Sequence, residues 1–360
     1  MDQDRRRAWV EVDLGALTHN AQVMAERARV RIVPMIKADA YGLGAIPIAH
    51  ALECLDPWGY GVATVVEGDA LRRAGIERPI LVMTPLLEWD FPAARQCRLT
   101  PVLGDPQAIA VWCRTSDAPW HLSIDTGMHR AGLPWNCVGD VREIAARHPP
   151  EGACTHYHSA DVGDETVQLQ EARFREAVAA LPVRPGLLHA ECSPWLERHS
   201  PSPWNLVRPG VFLYGAGGGE GAVVRPMAVV SVRARIVSLR DVPDGETVSY
   251  SATYRAHGTR RIATAALGYA DGYRRALSNR GSALVHGRRV PVAGLVTMDM
   301  TMLDVTGVDC RVGDMATFIG RDGDEDLDVN EVARTADMSP YELLAGLRQR
   351  LPRIFLGGQA

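Results

Sequence analysis

From residue 8 to about residue 214, short apolar runs alternate with longer amphipathic stretches, a pattern that restricts the chain to folds built on parallel strands with helical crossovers. The apolar runs are Ala8–Val12, Ile32–Lys37, Tyr60–Thr64, Ile80–Thr84, Thr100–Leu103, His121–Asp125, Ala153–His156, Leu187–Ala190 and Leu206–Arg208. Between them, Leu14–Ala28, Val66–Ala74, Pro106–Cys113, Val138–Arg147 and Glu165–Ala180 have helical periodicity. Eight or so strand–helix repeats predict an α/β fold, a (β/α)8 TIM-like barrel, with an open doubly wound sheet as the alternative. The pattern changes after Tyr214. Gly215-Ala216-Gly217-Gly218-Gly219-Glu220-Gly221 reads as a flexible linker, and no helical pattern follows to make it a dinucleotide loop. Period-2 stretches then dominate: Ala228–Leu239, Arg261–Leu267, Ser282–Val285, Val290–Val296, Met300–Val305 and Met315–Ile319. They predict a mainly-β domain closed by helices near Val329–Thr335 and Tyr341–Arg350, the second with Ser339-Pro340 as N-cap and first helical residue. The expected division is residues 8–222 for the barrel and 223–360 for the β domain.

Composition narrows the function class. With 39 cations against 43 anions, no nucleic-acid-binding surface is expected. No apolar run approaches the roughly 18–20 residues of a membrane span, and the start, Met1 to Arg7, lacks a signal-peptide core. The seven cysteines are odd in number and never spaced as CxxC, which fits reduced thiols and a cytoplasmic location. Among the 39 basic residues, Lys37 is the single lysine. It ends the apolar run from Ile32, just before the turn-forming Ala38-Asp39-Ala40-Tyr41-Gly42. Lysine, unlike the always-charged arginine, forms an imine with an aldehyde, so its place at a strand end reads as chemistry.

In a barrel, chemistry collects at the carboxyl ends of the strands. Lys37 and Tyr41, Asp125 to Arg130, His156, Ser193 and Arg208 all fall there. Ser193 and the Arg208-Pro209-Gly210-Val211 turn occupy the rim near the last two strands, where barrels bind phosphate. An imine-forming lysine beside a phosphate cradle points to pyridoxal 5'-phosphate.

The sequence resembles the alanine racemases, the fold-type III pyridoxal-phosphate enzymes, over nearly its whole length. The motifs that carry the resemblance run in the family's order. They are Ile36-Lys37-Ala38-Asp39-Ala40-Tyr41-Gly42, Asp125-Thr126-Gly127-Met128-His129-Arg130 and Thr155 through Asp161. Val207-Arg208-Pro209-Gly210 follows, then Leu213-Tyr214-Gly215, Val248-Ser249-Tyr250, Gly268 through Tyr273, and Met298-Asp299. The resemblance implies an amino-acid racemase in which Lys37 carries the cofactor and acts as base on one face of the substrate α-carbon. Tyr250, supplied by the other subunit of a head-to-tail homodimer, acts on the opposite face. Two bases are required because one residue alone returns the proton to the side it left. Arg208 would hydrogen-bond the pyridine nitrogen, and His156 would relay between Arg208 and Tyr250. Tyr41, Ser193, Gly210 and Val211 would hold the phosphate. Arg130 and the Met298 N–H would grip the substrate carboxylate, with Tyr269 and Tyr273 lining the entrance.

Several positions depart from the family pattern: Ser123 for a lysine, Cys192 for an asparagine, Leu295 for an arginine, and Thr297-Met298-Asp299-Met300 for Cys-Met-Asp-Gln. They alter the surroundings of the substrate, so a racemase of serine or of several amino acids is the alternative to alanine. A reading from another class takes His156-x-His158, with His121, His189 and Asp161, as a metal-hydrolase site. It leaves Lys37, Tyr41 and Tyr250 unexplained. A third makes the chain a pyridoxal-phosphate carrier without catalysis, against which the second domain and its tyrosine argue. No metal is expected; the acidic run from Asp322 to Asp328 lacks the sharp-turn glycine of an EF-hand and reads as a solvated loop.

Overall fold

The computed structural model describes residues 6–162 and 165–357. Among them, eight parallel strands form a barrel: Arg31–Ile32, Tyr60–Val62, Ile80–Val82, Thr100–Leu103, His121–Asp125, Gly152–Cys154, Leu187–His189 and Leu206–Val207. The two shortest pair with each other, and single bridges at Met35–Gly61 and Cys192–Arg208 join them to their neighbours and close the ring. Side chains alternate along each strand. Val33, Leu81, Val102, Cys154 and Leu206 pack with Trp58 as one cluster inside the barrel. Their strand neighbours Ile80, Val82, Ala153 and Val207 belong to the larger core under the helices.

The helices start where the sequence supplies caps. The Asp13 side chain accepts from the Ala16 N–H at the head of Leu14–Ala28. Thr64 and Glu67 form a capping box on Val65–Arg73, and Asp105 caps Pro106–Thr115. Among the described residues, no helix is long and apolar enough to cross a membrane.

The second unit is a twisted antiparallel sheet organised on the long strand Val230–Val242. That strand pairs with Met315–Asp322 and, beyond an irregularity between Ile236 and Ser238, with Arg260–Ala265. Ala8–Val12, read from sequence among the runs of the barrel, lies in this sheet instead. The strand Ala8–Asp13 is antiparallel to Val230–Val242 and parallel to Arg353–Leu356. An apolar strand presents the same pattern whichever sheet receives it, so the assignment needed the pairing partner. The segment after Tyr214 follows a fixed path: the Gly218 N–H donates to Glu197 Oε2 at 2.7 Å and the Gly217 N–H to Asn330 Oδ1 at 3.3 Å. The acidic run is a hairpin between Met315–Asp322 and Glu325–Leu327, and its last member, Asp328, caps Val329–Thr335. The final helix, Pro340–Ala345, is capped by Ser339 as expected.

Trp112 is fully buried between helix and barrel, with the Phe91 ring edge-on at 5.4 Å between centroids. Trp112→Ala is expected to cost about 3–5 kcal/mol of stability. The loss should be read as a lower denaturant midpoint at unchanged slope.

Candidate active site

Lys37 leaves the barrel wall just beyond the Met35 bridge and opens into the mouth, where solvent still reaches it. The residues behind it form a left-handed turn, with φ from 53° to 56° at Ala38, Asp39, Ala40 and Tyr41. Such backbone costs about 1–2 kcal/mol per non-glycine residue and persists only where surrounding bonds dictate it. Those bonds are present. Glu67 Oε1 accepts from the Ala38 N–H at 2.8 Å, and its Oε2 accepts from the Ala63 N–H at 2.7 Å. Asp39 Oδ1 accepts from the Ala45 N–H at 2.7 Å. At the far end, Arg353 donates to the Gly42 carbonyl through Nε at 2.9 Å and Nη2 at 2.6 Å. Gly42 has φ +84°, and a Cβ there would meet the Leu344 carbonyl at 2.7 Å, so the turn is wedged against the last helix. Burial, followed by the positive charge of Arg130, holds the Lys37 ammonium below the ordinary lysine range.

Arg208 is buried at the floor of the mouth with 4% exposure. Nη1 donates to the His189 carbonyl at 2.8 Å and to His189 Nδ1 at 2.5 Å. Nη2 donates to the carbonyls of Thr155 at 2.7 Å and Ala190 at 3.0 Å, and faces His156 Nδ1 at 3.4 Å. Among the described residues, no acceptor is paired with Nε–H. His156 is pushed down to about 3, chiefly by burial and then by Arg208, Arg130 and Lys37. It is therefore a neutral ring that accepts at Nδ1 and carries its proton on Nε2.

Close to Arg208 in the chain, Gly210 comes together with Ser193 and Tyr41. Ser193 Oγ accepts from the Gly210 N–H at 2.8 Å and the Phe212 N–H at 3.3 Å, which leaves its own proton to donate. Tyr41 Oη stands 2.6 Å from where a Gly210 Cβ would sit, so only glycine admits the phenol there. Tyr41 stacks on Tyr214, whose hydroxyl donates to the Met35 carbonyl at 2.7 Å. Cys192 flanks this cradle, and burial raises its thiol to about 11. An open amine, a lone guanidinium N–H and a hydroxyl-lined cradle with Val211 at its edge match the aldehyde, ring nitrogen and phosphate of pyridoxal phosphate.

Arg130 stands exposed on the rim, and among the described residues it has no hydrogen bond or ion pair. Ser123 bonds toward Cys154 instead of serving Arg130. Tyr250, Tyr269 and Met298 form a separate group on the β domain. The Ala270 N–H donates to the Met298 carbonyl at 3.0 Å, and Ser249 Oγ to the Leu295 carbonyl at 2.8 Å. Tyr250 is 71% exposed on a turn with positive φ at Ser249, Ser251 and Ala252. Tyr273 does not join them. Gly272, at φ +109°, reverses the chain and sends the Tyr273 ring into the domain core against Phe318. Its side chain lies away from the entrance expected for it.

The histidines of the metal reading have other partners. His158 points outward to Ser159 Oγ at 2.6 Å, while His121 and His189 bond to each other and His189 also to Arg208. Three residues escaped the sequence reading. Gln170, buried on the helix Glu165–Ala180, donates to Thr126 Oγ1 at 3.1 Å and the His156 carbonyl at 3.0 Å, and accepts from the His158 N–H at 3.0 Å. It ties the Asp125–Arg130 loop to the His156 loop. Glu67 was hidden inside a capping pattern. Tyr341, on the last helix, lies close enough to Tyr41 for each to enter the other's electrostatics; its signal was the Ser339-Pro340 cap immediately before it.

A barrel with an imine-competent lysine at its mouth, joined to a β domain that presents an exposed tyrosine, defines a two-domain class of racemase. The chain belongs to the alanine racemase family: the model of its N-terminal domain matches residues 12–217, and that of its C-terminal domain residues 229–355. It is 37% identical to the alanine racemase of Symbiobacterium thermophilum, with all of both chains covered. It is also 37% identical to that of Deinococcus radiodurans over 96% of this chain and 98% of that one. The alanine racemase of E. faecalis superposes with a TM-score of 0.92 at 28% identity, covering 98% of each chain. That of Bartonella henselae, solved with covalently bound pyridoxal phosphate, gives 0.90 at 26% identity, over 98% of this chain and 100% of that one.

In the unfolded chain His156 takes up a proton near pH 6.5, whereas the fold keeps it neutral down to about 3. Stability is therefore lost as pH falls through that window. His156→Gln is expected to flatten the acid-side fall in denaturation midpoint; a slope equal to the parent's would mean that the folded ring is already protonated.

Proposed function

We propose that the protein is a pyridoxal-phosphate-dependent alanine racemase that acts as a homodimer with shared active sites. Lys37 and Tyr250 of the partner subunit serve as its two acid–base groups. The observation that carries the reading is that Lys37 and Arg208 lie close enough to feel each other's charge, beside the Ser193–Gly210–Tyr41 cradle. Bound there, pyridoxal phosphate supplies an electron-accepting ring that acidifies the α-hydrogen of the amino acid.

The chain's own residues divide the remaining work. Lys37, with its ammonium destabilised by burial and by Arg130, releases a proton at Nζ more readily than an ordinary lysine and can take it back. Arg208 offers an N–H donor and no transferable proton, so it orients the ring nitrogen without protonating it. The restraint on ring charge favours return of the α-proton over side reactions. The Ser193 hydroxyl, Tyr41 and the Val211 N–H hold the phosphate, with Gly210 giving its N–H to Ser193 Oγ and the room that admits the Tyr41 phenol. Arg130, free of any acid, is available to the substrate carboxylate together with the Met298 N–H. Tyr269 stands beside Met298 at the way in. Arg130 belongs to a barrel loop and Met298 to the β domain, both exposed, and a dimer would let one subunit's arginine meet the other's N–H.

Exposed apolar surface supports the same assembly. Tyr250, Met298 and Met300 are 71%, 52% and 44% exposed on the β domain. Val66, Leu87 and Trp89 are 77%, 53% and 75% exposed beyond the carboxyl ends of Tyr60–Val62 and Ile80–Val82. Clusters of this kind mark association surfaces. A second copy seated with its β-domain patch on the barrel rim brings its Tyr250 phenol to the mouth opposite Lys37. The His156 Nε2–H is then the donor available to that phenolate.

Lys37→Ala and Tyr250→Ala are each expected to abolish interconversion of L- and D-alanine, and Lys37→Ala to remove the visible absorption of the bound cofactor. Reassorting the two variants as an equal mixture should restore about a quarter of the parent activity. Half the dimers are then mixed, and each mixed dimer holds one intact site of two. A mixture as inactive as its components would sink the shared site.

A further inference from the structure

Below the mouth, a row of side chains crosses the barrel interior from one end to the other. Arg208 Nη1 lies 2.5 Å from His189 Nδ1, and His189 Nε2 lies 2.8 Å from His121 Nδ1. His121 Nε2 then lies 3.5 Å from the Glu151 carboxylate. Arg208 and His189 stand at carboxyl ends of strands; His121 opens its strand, and Glu151 immediately precedes Gly152–Cys154 at the amino end. Both histidines are fully buried, while Glu151 reaches solvent.

The row has one allowed polarity. A guanidinium only donates, so His189 Nδ1 must accept, and the neutral ring then carries its proton on Nε2. That proton goes to His121 Nδ1, which places the His121 proton on Nε2, facing Glu151. Burial outweighs every other influence and lowers both rings; at His121 the Glu151 carboxylate opposes it, while the positive charge of Arg208 acts with it at both. His121 Nε2 is the one buried nitrogen in the row without a close acceptor inside the barrel, so the carboxylate is what the final N–H addresses. The ring position is fixed by shape. A Cβ at Gly152 would stand 2.5 Å from two atoms of the His121 ring, and Trp58 lies across its other side at 5.7 Å between centroids.

We propose that Glu151 is a positioning residue for Arg208: acting through His121 and His189, it fixes both tautomers and holds the guanidinium plane with Nε–H turned into the mouth. The role rests on the reading of Arg208 as the group that meets the cofactor ring. The carboxylate at one end polarises each ring in turn and strengthens His189 Nδ1 as an acceptor. Without it, the buried His121 Nε2–H is left with no acceptor and the opposite tautomers compete; adopting them breaks the His189–Arg208 contact, because a guanidinium cannot accept.

The test uses the full chain, with and without pyridoxal phosphate. In cofactor-free protein labelled with ¹⁵N-histidine, the parent should show His189 and His121 as single Nε2–H tautomers, and Glu151→Ala a mixture at both rings. In the loaded enzyme Glu151→Ala should lower kcat for alanine about tenfold, the scale of one hydrogen bond to a charged group, with KM unchanged. Glu151→Gln, which keeps an acceptor oxygen, should recover part of both effects. Unaltered tautomers in Glu151→Ala, or a parent His189 protonated on Nδ1, would overturn the proposal. So would a fall in kcat accompanied by an equal rise in KM. Because the tautomers are read without cofactor or substrate, a failure of the racemase reading would leave that result intact and be recognised separately.

Discussion

A guanidinium taken out of water must meet an acceptor in nearly every direction, and the barrel mouth is arranged to satisfy that demand for Arg208. Its contacts go to the Thr155, His189 and Ala190 carbonyls and to a histidine ring. Leaving such a charge unpaired in the interior is among the most expensive errors a fold can make. Three strand ends are thereby held at the spacing of one planar group, and the floor of the mouth becomes rigid. His156, Ser193 and Gly210 all take their positions from those same strand ends. A lysine at this position would carry the charge but not the plane, and the spacing would lose its template.

The opposite wall is organised by strain rather than by charge. Four consecutive left-handed residues carry the chain away from Lys37, and the bonds that hold them come from both domains. Glu67 belongs to a barrel helix; Arg353 belongs to the strand Arg353–Leu356 of the β sheet. The amine that opens into the mouth is therefore anchored to the whole molecule and not only to its own strand. Strain of this kind, maintained by contacts from distant segments, is a usual companion of functional sites.

Much of this was legible in the chain. The strand–helix alternation pointed to a barrel, with an open sheet as the alternative, the switch to period 2 marked the second domain, and a lone lysine among arginines marked Lys37. What stayed hidden depends on contacts between distant residues. Ala8–Val12 is apolar in the same way whether it pairs with a barrel strand or with Val230–Val242. Tyr273 lies inside a matching motif, yet its direction is set by the reversal at Gly272. His121 and His189 are 68 residues apart, and their pairing leaves no local signature. The left-handed turn was invisible for a different reason: Ala38, Ala40 and Tyr41 have no intrinsic taste for positive φ, and only tertiary bonds impose it.

The strand Ala8–Asp13 lies between Val230–Val242 and Arg353–Leu356 while leading directly into the first barrel helix, whose N-cap is its own Asp13. During synthesis on the ribosome, this strand emerges long before either neighbour exists. The first helix must wait on an edge with no mate, and the ring of strands can close before its leading segment is seated. Folding thus includes a stitching step in which residues made much later lock down residues made early, so that severing the two units at the glycine-rich crossing would strip the β sheet of a strand carried by the barrel segment.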